Sequence, residues 1–353
     1  MSSDSTRNRP LALSDAGLLL VAESPIFRSF LDELERVAES EAAVLIEGEH
    51  GTGKSLAAAR LHAASARGGG PLVEVAVAAL APTLVESELF GHEEGAFTGA
   101  SSARLGRFRA AQGGTIVLDG IEGLSLELQA KLLRTLQEHV VEPLGGQGPM
   151  EVDFRLVATS ARTLRAEVEA GRFREDLYYR LAVVTLRVPP LRARSKDIAN
   201  LTVRLTERVA ARAGVPTRPV DPEALARLEA HPWPGNVREL ENTLERVMVL
   251  SPTPGVPGTP VAASELDFLD EALEEAADQV ARQALALGIS LDTLTCAMLD
   301  AAARQHRGNL SAAARSVGLS RRAFDYRRKK HREEQSPAAE AGSLDDDPNA
   351  SSR

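Results

Sequence analysis

Gly48-Glu49-His50-Gly51-Thr52-Gly53-Lys54-Ser55 is the stretch on which the reading of this chain turns. It fits G-x-x-x-x-G-K-[S/T] at every fixed position and follows Ala42-Ala43-Val44-Leu45-Ile46, a short apolar run of buried-strand type. A helix-forming stretch, Leu56 to Ala66, comes next. In that context the glycines let backbone N–H groups converge on phosphates, and the helix N-terminus adds favourable partial charge. Gly48, Gly51, Thr52 and Gly53 are therefore candidate cradle residues, Lys54 a partner for the outer phosphates, and Ser55 a hydroxyl ligand for Mg²⁺. The competing reading is an ordinary Gly-rich turn that happens to carry Lys and Ser; eight residues and their flanks argue against it.

Outward from this loop, apolar strand-like runs alternate with amphipathic helical stretches from about residue 21 to 187, the pattern of a doubly wound α/β domain. The predicted strands are 44–46, 72–77, 115–118, 154–158 and 183–188. The clearest helix is 126–139, whose apolar residues recur at helical spacing. Pro189-Pro190 ends the last strand, and helical segments near 195–213, 222–229 and 236–249 make a smaller helical subdomain, 188–250. Residues 251–263, rich in Pro, Gly and Thr, read as a linker. A helical region follows over 264–332. The polar start, 1–20, and the acidic end, 333–353, read as a disordered leader and tail.

Composition bounds the function classes. Hydrophobic residues make up 43% and charged residues 26%, as in a soluble globular protein of two or three domains. One cysteine, Cys296, excludes an internal disulfide framework and fits a reducing compartment. There is no apolar run long enough to span a membrane and no signal-peptide organisation, so a cytoplasmic location without membrane partners is expected. The net charge of −9 is unevenly spread: residues 304–332 hold ten Lys and Arg against the single acid Asp325, which leaves the rest of the chain eighteen negative. A basic module on an acidic body points to one part that meets nucleic acid and another that does not.

The second nucleotide motif should be a strand ending in an acid that reaches Mg²⁺ or its water, and Gly114-Thr115-Ile116-Val117-Leu118-Asp119 supplies it. Asp119 is the candidate; an exposed strand-end Asp is the alternative. In many hydrolysing enzymes of this architecture the next residue is a Glu that orients the attacking water. Here it is Gly120. Glu122 lies two residues on and can swing inward in a turn, but its register is wrong for simple substitution.

Glu88 to Ala100, ELFGHEEGAFTGA, contains GAFTGA; Phe173 to Leu181, FREDLYYRL, and Trp233 to Leu240, WPGNVREL, are two further blocks. Together they resemble the AAA+ activators of sigma-54 RNA polymerase, the bacterial enhancer-binding proteins, over roughly residues 20–250. The resemblance implies an AAA+ P-loop NTPase core with a helical lid. It also implies ATP and Mg²⁺ as cofactors, a homo-oligomeric ring that is usually hexameric, and ATP-driven remodelling of a closed promoter complex. Gly95, Ala96, Phe97, Thr98, Gly99 and Ala100 would form the sigma-54 contact, with Phe97 and Thr98 at the tip; a core aromatic is the alternative for Phe97. Arg174 and Arg180 match the family's trans-acting arginines and Arg238 its sensor arginine; without the motifs each would read as a surface ion-pair residue. Guanidinium suits these roles because it stays charged and bridges two phosphate oxygens. The catalytic set implied is Asp119, Arg174 and Arg180.

Three positions depart from the family pattern. Gly120 stands where the family has its catalytic Glu, Ala76 where it has the asparagine that partners that Glu, and Ala161 where it has a polar sensor near the γ-phosphate. The expectation is nucleotide binding kept and turnover weakened.

Beyond the linker, Ser264 to Leu287 and Leu291 to Gln305 are helical, the first suited to dimerisation. Asn309 to Phe324 then gives a short helix, a Gly turn and Ser320 as N-cap of a second helix, similar to the all-α helix-turn-helix domain of the Fis family. Its second helix would enter the major groove of double-stranded DNA. Ser320, Arg321, Arg322 and Tyr326 would lie nearest bases or phosphates, with Arg327, Arg328, Lys329 and Lys330 on the backbone. Asp325 is unfavourable there unless it reads a cytosine or pairs with an arginine, and Arg328 occupies a usually apolar position. A basic solvated helix is the alternative.

The reading is therefore a sigma-54-interacting, ATP- and DNA-binding transcription regulator. The second reading is a hydrolysis-deficient modulator that binds sigma-54 or joins the rings of an active relative. A chaperone or helicase fits GAFTGA and the DNA module poorly. With about twenty residues before the core, no N-terminal regulatory domain is expected, and control would come from a trans-acting protein, expression level or assembly.

Overall fold

The computed structural model describes residues 22–79, 82–96, 102–146, 148–250, 258–306 and 308–334. The expected leader and nearly all of the expected tail lie outside them. The chain divides between Asp267 and Phe268 into two compact units.

The first unit opens with α1 (Pro25–Ala38), β1 (Val44–Glu47), α2 (Lys54–Ala63), β2 (Leu72–Ala76) and α3 (Pro82–Phe90). The two-stranded ladder β3 (Gly91–His92) and β4 (Arg104–Leu105) follows, then α4 (Arg107–Ala110), β5 (Gly114–Asp119) and α5 (Leu126–Glu138). A second small ladder, β6 (Val140–Val141) with β7 (Met150–Glu151), precedes β8 (Phe154–Ser160), α6 (Leu164–Glu169), α7 (Glu175–Leu181) and β9 (Val184–Arg187). The lid consists of α8 (Ile198–Ala213), α9 (Pro222–Ala230) and α10 (Asn236–Leu250).

Five strands form one parallel sheet in the order β2-β5-β8-β1-β9. Their apolar runs follow from that topology, because a parallel sheet is covered on both faces. Along β5, Ile116 and Leu118 enter one core with Leu45, Phe108 and Leu156, while Val117 enters the other with Val44, Ile46, Val157 and Phe27. The alternation has the strand period of two. All five predicted strands are present. The register Ala76↔Asp119↔Thr159 brings the carboxyl ends of β2, β5 and β8 level, beside the loop that follows β1.

The expected linker requires correction. Its described part belongs to the first unit: Val261 is buried and bridges to Val220, and the buried Arg218 donates to the carbonyls of Thr259 and Pro260 and pairs with Glu265 at 2.8 Å. Leu266, fully buried, closes the segment. The second unit therefore starts at Phe268 rather than at 264. Pro-rich composition withholds backbone donors, but carbonyls remain, and one buried guanidinium collects them.

The second unit contains α11 (Phe268–Ala286), α12 (Leu291–Gln305), α13 (Leu310–Ser316) and α14 (Arg321–Glu334). Its core is Leu299, Ala302, Ala303, Ala313, Ala314 and Phe324. Small alanines let three helices approach one aromatic ring. Among the described residues no helix is long and apolar enough to cross a membrane.

Candidate functional site

The phosphate loop connects β1 to α2 as predicted. Gly51 and Gly53 take φ of 75° and 100°, which L side chains rarely adopt, and a Cβ on Gly51 would come within 2.2 Å of the Gly235 carbonyl oxygen. Thr52, buried, donates from Oγ1 to the Glu49 carbonyl at 2.8 Å. Lys54 Nζ donates to the carbonyls of Gly48 and Glu49 at 2.8 and 3.0 Å. Burial lowers the Lys54 pKa, opposed first by the charge of Asp119 and then by that of Glu122. The charges of Asp119, at the end of β5, and of Glu122, in the turn after it, thus both act on Lys54.

Glu74 lies near Ser55 and Asp119, and the Ser55 hydroxyl favours its charged form. Burial raises the Glu74 pKa, and the charge of Asp119 raises it further. Asp119 accepts a short hydrogen bond from the Thr159 hydroxyl. Ser55, Glu74 and Asp119 are hard oxygen donors, and no group of three or more His, Cys, Asp or Glu suited to holding a metal exists among the described residues. That donor set fits Mg²⁺, which takes one or two carboxylates and completes its shell with phosphate and water.

The lid is fastened to the loop by residues that the sequence reading left out. Asn236 has φ of 55°, a conformation that Asn tolerates better than most residues. Its Nδ2 donates to the His50 carbonyl at 3.0 Å and its Oδ1 accepts from Leu191 N at 2.8 Å. Val237 N donates to the Gly51 carbonyl. Arg192 grips Glu49 through both guanidinium ends, one contact at 2.7 Å, and this pairing lowers the Glu49 pKa. Arg194, buried against the Phe27 ring, donates to the Thr52 carbonyl at 3.0 Å, and burial pulls its pKa down to about 10. Trp233, fully buried with Nε1 on the Leu228 carbonyl, anchors the turn. Arg238 follows on α10, and its charge acts on Lys54. The WPGNVREL block signalled this turn without showing that Asn236 is its clasp.

Arg174 and Arg180 go elsewhere. Arg174 pairs with Asp176 at 2.7 Å, and Arg180 donates to the Leu136 carbonyl at 2.8 Å, so neither guanidinium is bonded to the phosphate loop of its own chain.

Of the GAFTGA residues, Gly95 and Ala96 are described; Phe97, Thr98, Gly99 and Ala100 lie outside the described residues. The loop departs from the ladder in which Gly91 pairs with Leu105 and His92 with Arg104, rather than directly from a helix. Glu88 holds this base by pairing with both Arg104 and Arg107.

In the second unit Ser320 caps α14, with Oγ accepting from Ala323 N at 3.3 Å, after the turn at Gly318, whose φ is 67°. Arg321, Arg322, Tyr326, Arg327 and Lys329 are exposed. Asp325 pairs with Arg321 at 3.8 Å, and Arg328 pairs with Asp300 of α12 at 2.7 Å. Arg328 thus spends its charge inside the unit, which accounts for a cation at a usually apolar position.

The family described as Sigma-54 interaction domain matches residues 20–187, the AAA+ ATPase lid domain 192–284, and the Fis-family bacterial regulatory protein 296–331. The response regulator protein PilR of Pseudomonas aeruginosa is 40% identical over 325 residues, covering 88% of this chain and 69% of PilR. The chain belongs to the sigma-54 activator family. The transcriptional regulatory protein ZraR of Escherichia coli K12 is 43% identical over 86% of this chain and 66% of its own length. FlbD of Caulobacter vibrioides is 46% identical over 69% and 54%. The chain thus spans from about half to about two thirds of the length of these relatives. A crystal structure of Brucella abortus NtrX in complex with ATP superposes with a TM-score of 0.65 at 34% identity, over 90% of this chain and 71% of NtrX. NtrX has also been crystallised with ADP. For this family the architecture is an AAA+ core with helical lid and a Fis-type helix-turn-helix unit.

Proposed function

We propose that this chain is a transcription regulator that binds ATP with Mg²⁺ at the phosphate loop, engages sigma-54 RNA polymerase through the GAFTGA loop, and docks on double-stranded DNA through α14. The observation that carries the reading is the convergence of Lys54, Asp119 and Arg238 on one loop clasped by the lid, in a chain that also holds GAFTGA and a capped basic helix. Likeness to NtrX, which has been crystallised with ATP and with ADP, supports adenine nucleotide as the ligand.

In this reading backbone N–H groups from Gly51 to Ser55 and Lys54 Nζ bind the β- and γ-phosphates. The ammonium moves to them from the Gly48 and Glu49 carbonyls. Ser55 and Asp119 would hold Mg²⁺, whose chemistry is to neutralise charge that develops between the β- and γ-phosphates. Arg238 reads the same phosphates from the lid. Arg174 and Arg180 serve the site of a neighbouring subunit in a ring, in keeping with their separation from the loop of their own chain.

A second reading has its own observation: Gly120, Ala76 and Ala161 favour a hydrolysis-deficient modulator that binds sigma-54 or joins the rings of an active relative. In vitro transcription from a sigma-54 promoter, with ATP and with a non-hydrolysable analogue, separates the two. Open complexes with ATP alone are the result expected of an active remodeller. Sigma-54 binding without open complexes under either condition would establish the modulator instead.

A further inference from the structure

The carboxyl end of the sheet carries, just past β5, a carboxylate that none of the roles above uses. Asp119 ends β5, and Gly120 then takes φ of 76° and starts a single 3₁₀ turn, Ile121–Gly123. Gly120 N donates to the Thr159 carbonyl at 3.2 Å, which extends the β5–β8 ladder by one bond before the turn. The turn delivers Glu122 to the residue after β8: Glu122 Oε1 accepts from Ala161 N at 2.8 Å. Glu122 Oε2 is buried and has no hydrogen-bond partner among the described residues. The charge of Glu122 acts on the Lys54 ammonium, second only to that of Asp119 among the charges that favour it.

An unpartnered carboxylate oxygen in a buried position is costly and calls for an explanation, of which a catalytic role is one. A side chain evolved only to cap the turn would keep the bond to Ala161 N and leave its other oxygen in water. Here one oxygen is fixed by the backbone, and the other is buried without a hydrogen-bond partner among the described residues. The two substitutions beside it fit the same geometry. A Cβ on Gly120 would stand 2.8 Å from the Ala78 Cβ in a left-handed backbone, so position 120 cannot present a side chain here without rearrangement. At position 161 the backbone N–H, rather than the alanine side chain, makes the contact.

We propose that Glu122, displaced two residues along the chain, is the general base for ATP hydrolysis in this protein. The inference rests on the reading that the phosphate loop binds ATP. A water oxygen attacks the γ-phosphorus as the bond from that phosphorus to the β,γ-bridging oxygen breaks. ADP leaves with the bonding pair, and the water proton passes to Glu122 Oε2 and then to solvent, giving ADP and inorganic phosphate. A positioned base contributes on the order of 10²–10⁴-fold to such a step.

The test uses the full chain and Glu122→Gln, whose amide oxygen still accepts from Ala161 N, so the turn survives and only basicity is lost. Three quantities are read: steady-state phosphate release, affinity for a fluorescent ATP analogue, and the ATP-to-ADP ratio retained on protein after gel filtration with ATP. The expected result is wild-type turnover, a fall of about 100-fold or more in Glu122→Gln, nucleotide affinity within about threefold of wild type, and retained nucleotide that shifts from ADP to ATP. Glu122→Asp, which keeps the charge but shortens its reach, should fall between the two; it serves as the reporter if the Gln variant fails to fold, and wild-type turnover in it then counts against the base. Equal turnover in wild type and Glu122→Gln overturns the proposal. So does a wild type that binds nucleotide and never releases phosphate, which leaves nucleotide binding standing. No nucleotide binding by the folded wild type removes the underlying reading together with the base.

Discussion

At single residues the site is governed by groups forced into places that their chemistry resists. Gly51 lies so close to Gly235 that loop and lid share one backbone contact, and Asn236 accepts a left-handed backbone to bond both sides of it. Glu49 is the charged member of this clasp. Hydrogen bonding to Arg192 holds its folded-state pKa below the unfolded value of about 4.3. A depressed carboxylate contributes stability that is complete above its unfolded pKa and is lost as pH falls through its folded one. Both partners are partly exposed, so the contribution is roughly 0.5–1 kcal/mol. Glu49→Gln should lower the denaturation midpoint of the first unit at pH 7 and converge with wild type at a pH below the depressed folded-state pKa. Chemical denaturation at the two pH values measures this, and a gap that widens in acid would contradict the assignment.

At the scale of elements, charge on α14 divides into two kinds. Arg328 is tied to Asp300 and stabilises the packing of α14 on α12, whereas Arg321 and Arg322 lie on the exposed start of the helix behind the Ser320 cap. Replacing Arg321 and Arg322 with Ala should weaken DNA binding and shallow its salt dependence by nearly one log unit per lost phosphate contact. Arg328→Ala should instead cost about 0.5–1 kcal/mol of stability and leave the salt slope unchanged. Affinity titrations at several salt concentrations, beside thermal melts, distinguish them; a slope reduced equally by all three variants would place Arg328 on the DNA. The elements themselves were largely legible. Buried parallel strands announce themselves as apolar runs, and the phosphate loop and the Ser320 cap carry their conformations in their residue types. What sequence left obscure depends on partners distant in the chain: the acid that neutralises Arg328, the Arg218 that turns a Pro-rich segment into part of the lid, and the Ala161 N–H that fixes one oxygen of Glu122. The helix α1 carries a weaker signal of the same kind, its apolar residues Phe27, Phe30, Leu34 and Ala38 recurring at helical spacing.

At the scale of the whole molecule the proposed reading divides the site between neighbouring subunits. The charges of Asp119, Glu122 and Arg238 act on Lys54, while Arg174 bonds to Asp176 and Arg180 to the Leu136 carbonyl. In the proposed head-to-tail ring this division would be resolved, because a heterologous interface would present one subunit's arginines to the next subunit's phosphates. Arginines supplied across such an interface contribute on the order of 10³–10⁵-fold to phosphoryl transfer. Lys54→Ala keeps the arginines but loses the nucleotide, and Arg174→Ala keeps the nucleotide but loses an arginine. Each should be inactive as a uniform ring. Mixed in equal amounts, they create interfaces in which an intact loop from one variant faces an intact arginine from the other, so ATP turnover should reappear on mixing and vary with the mixing ratio. Arginines acting within their own chain would give no recovery at any ratio, because every site would then lack either Lys54 or Arg174.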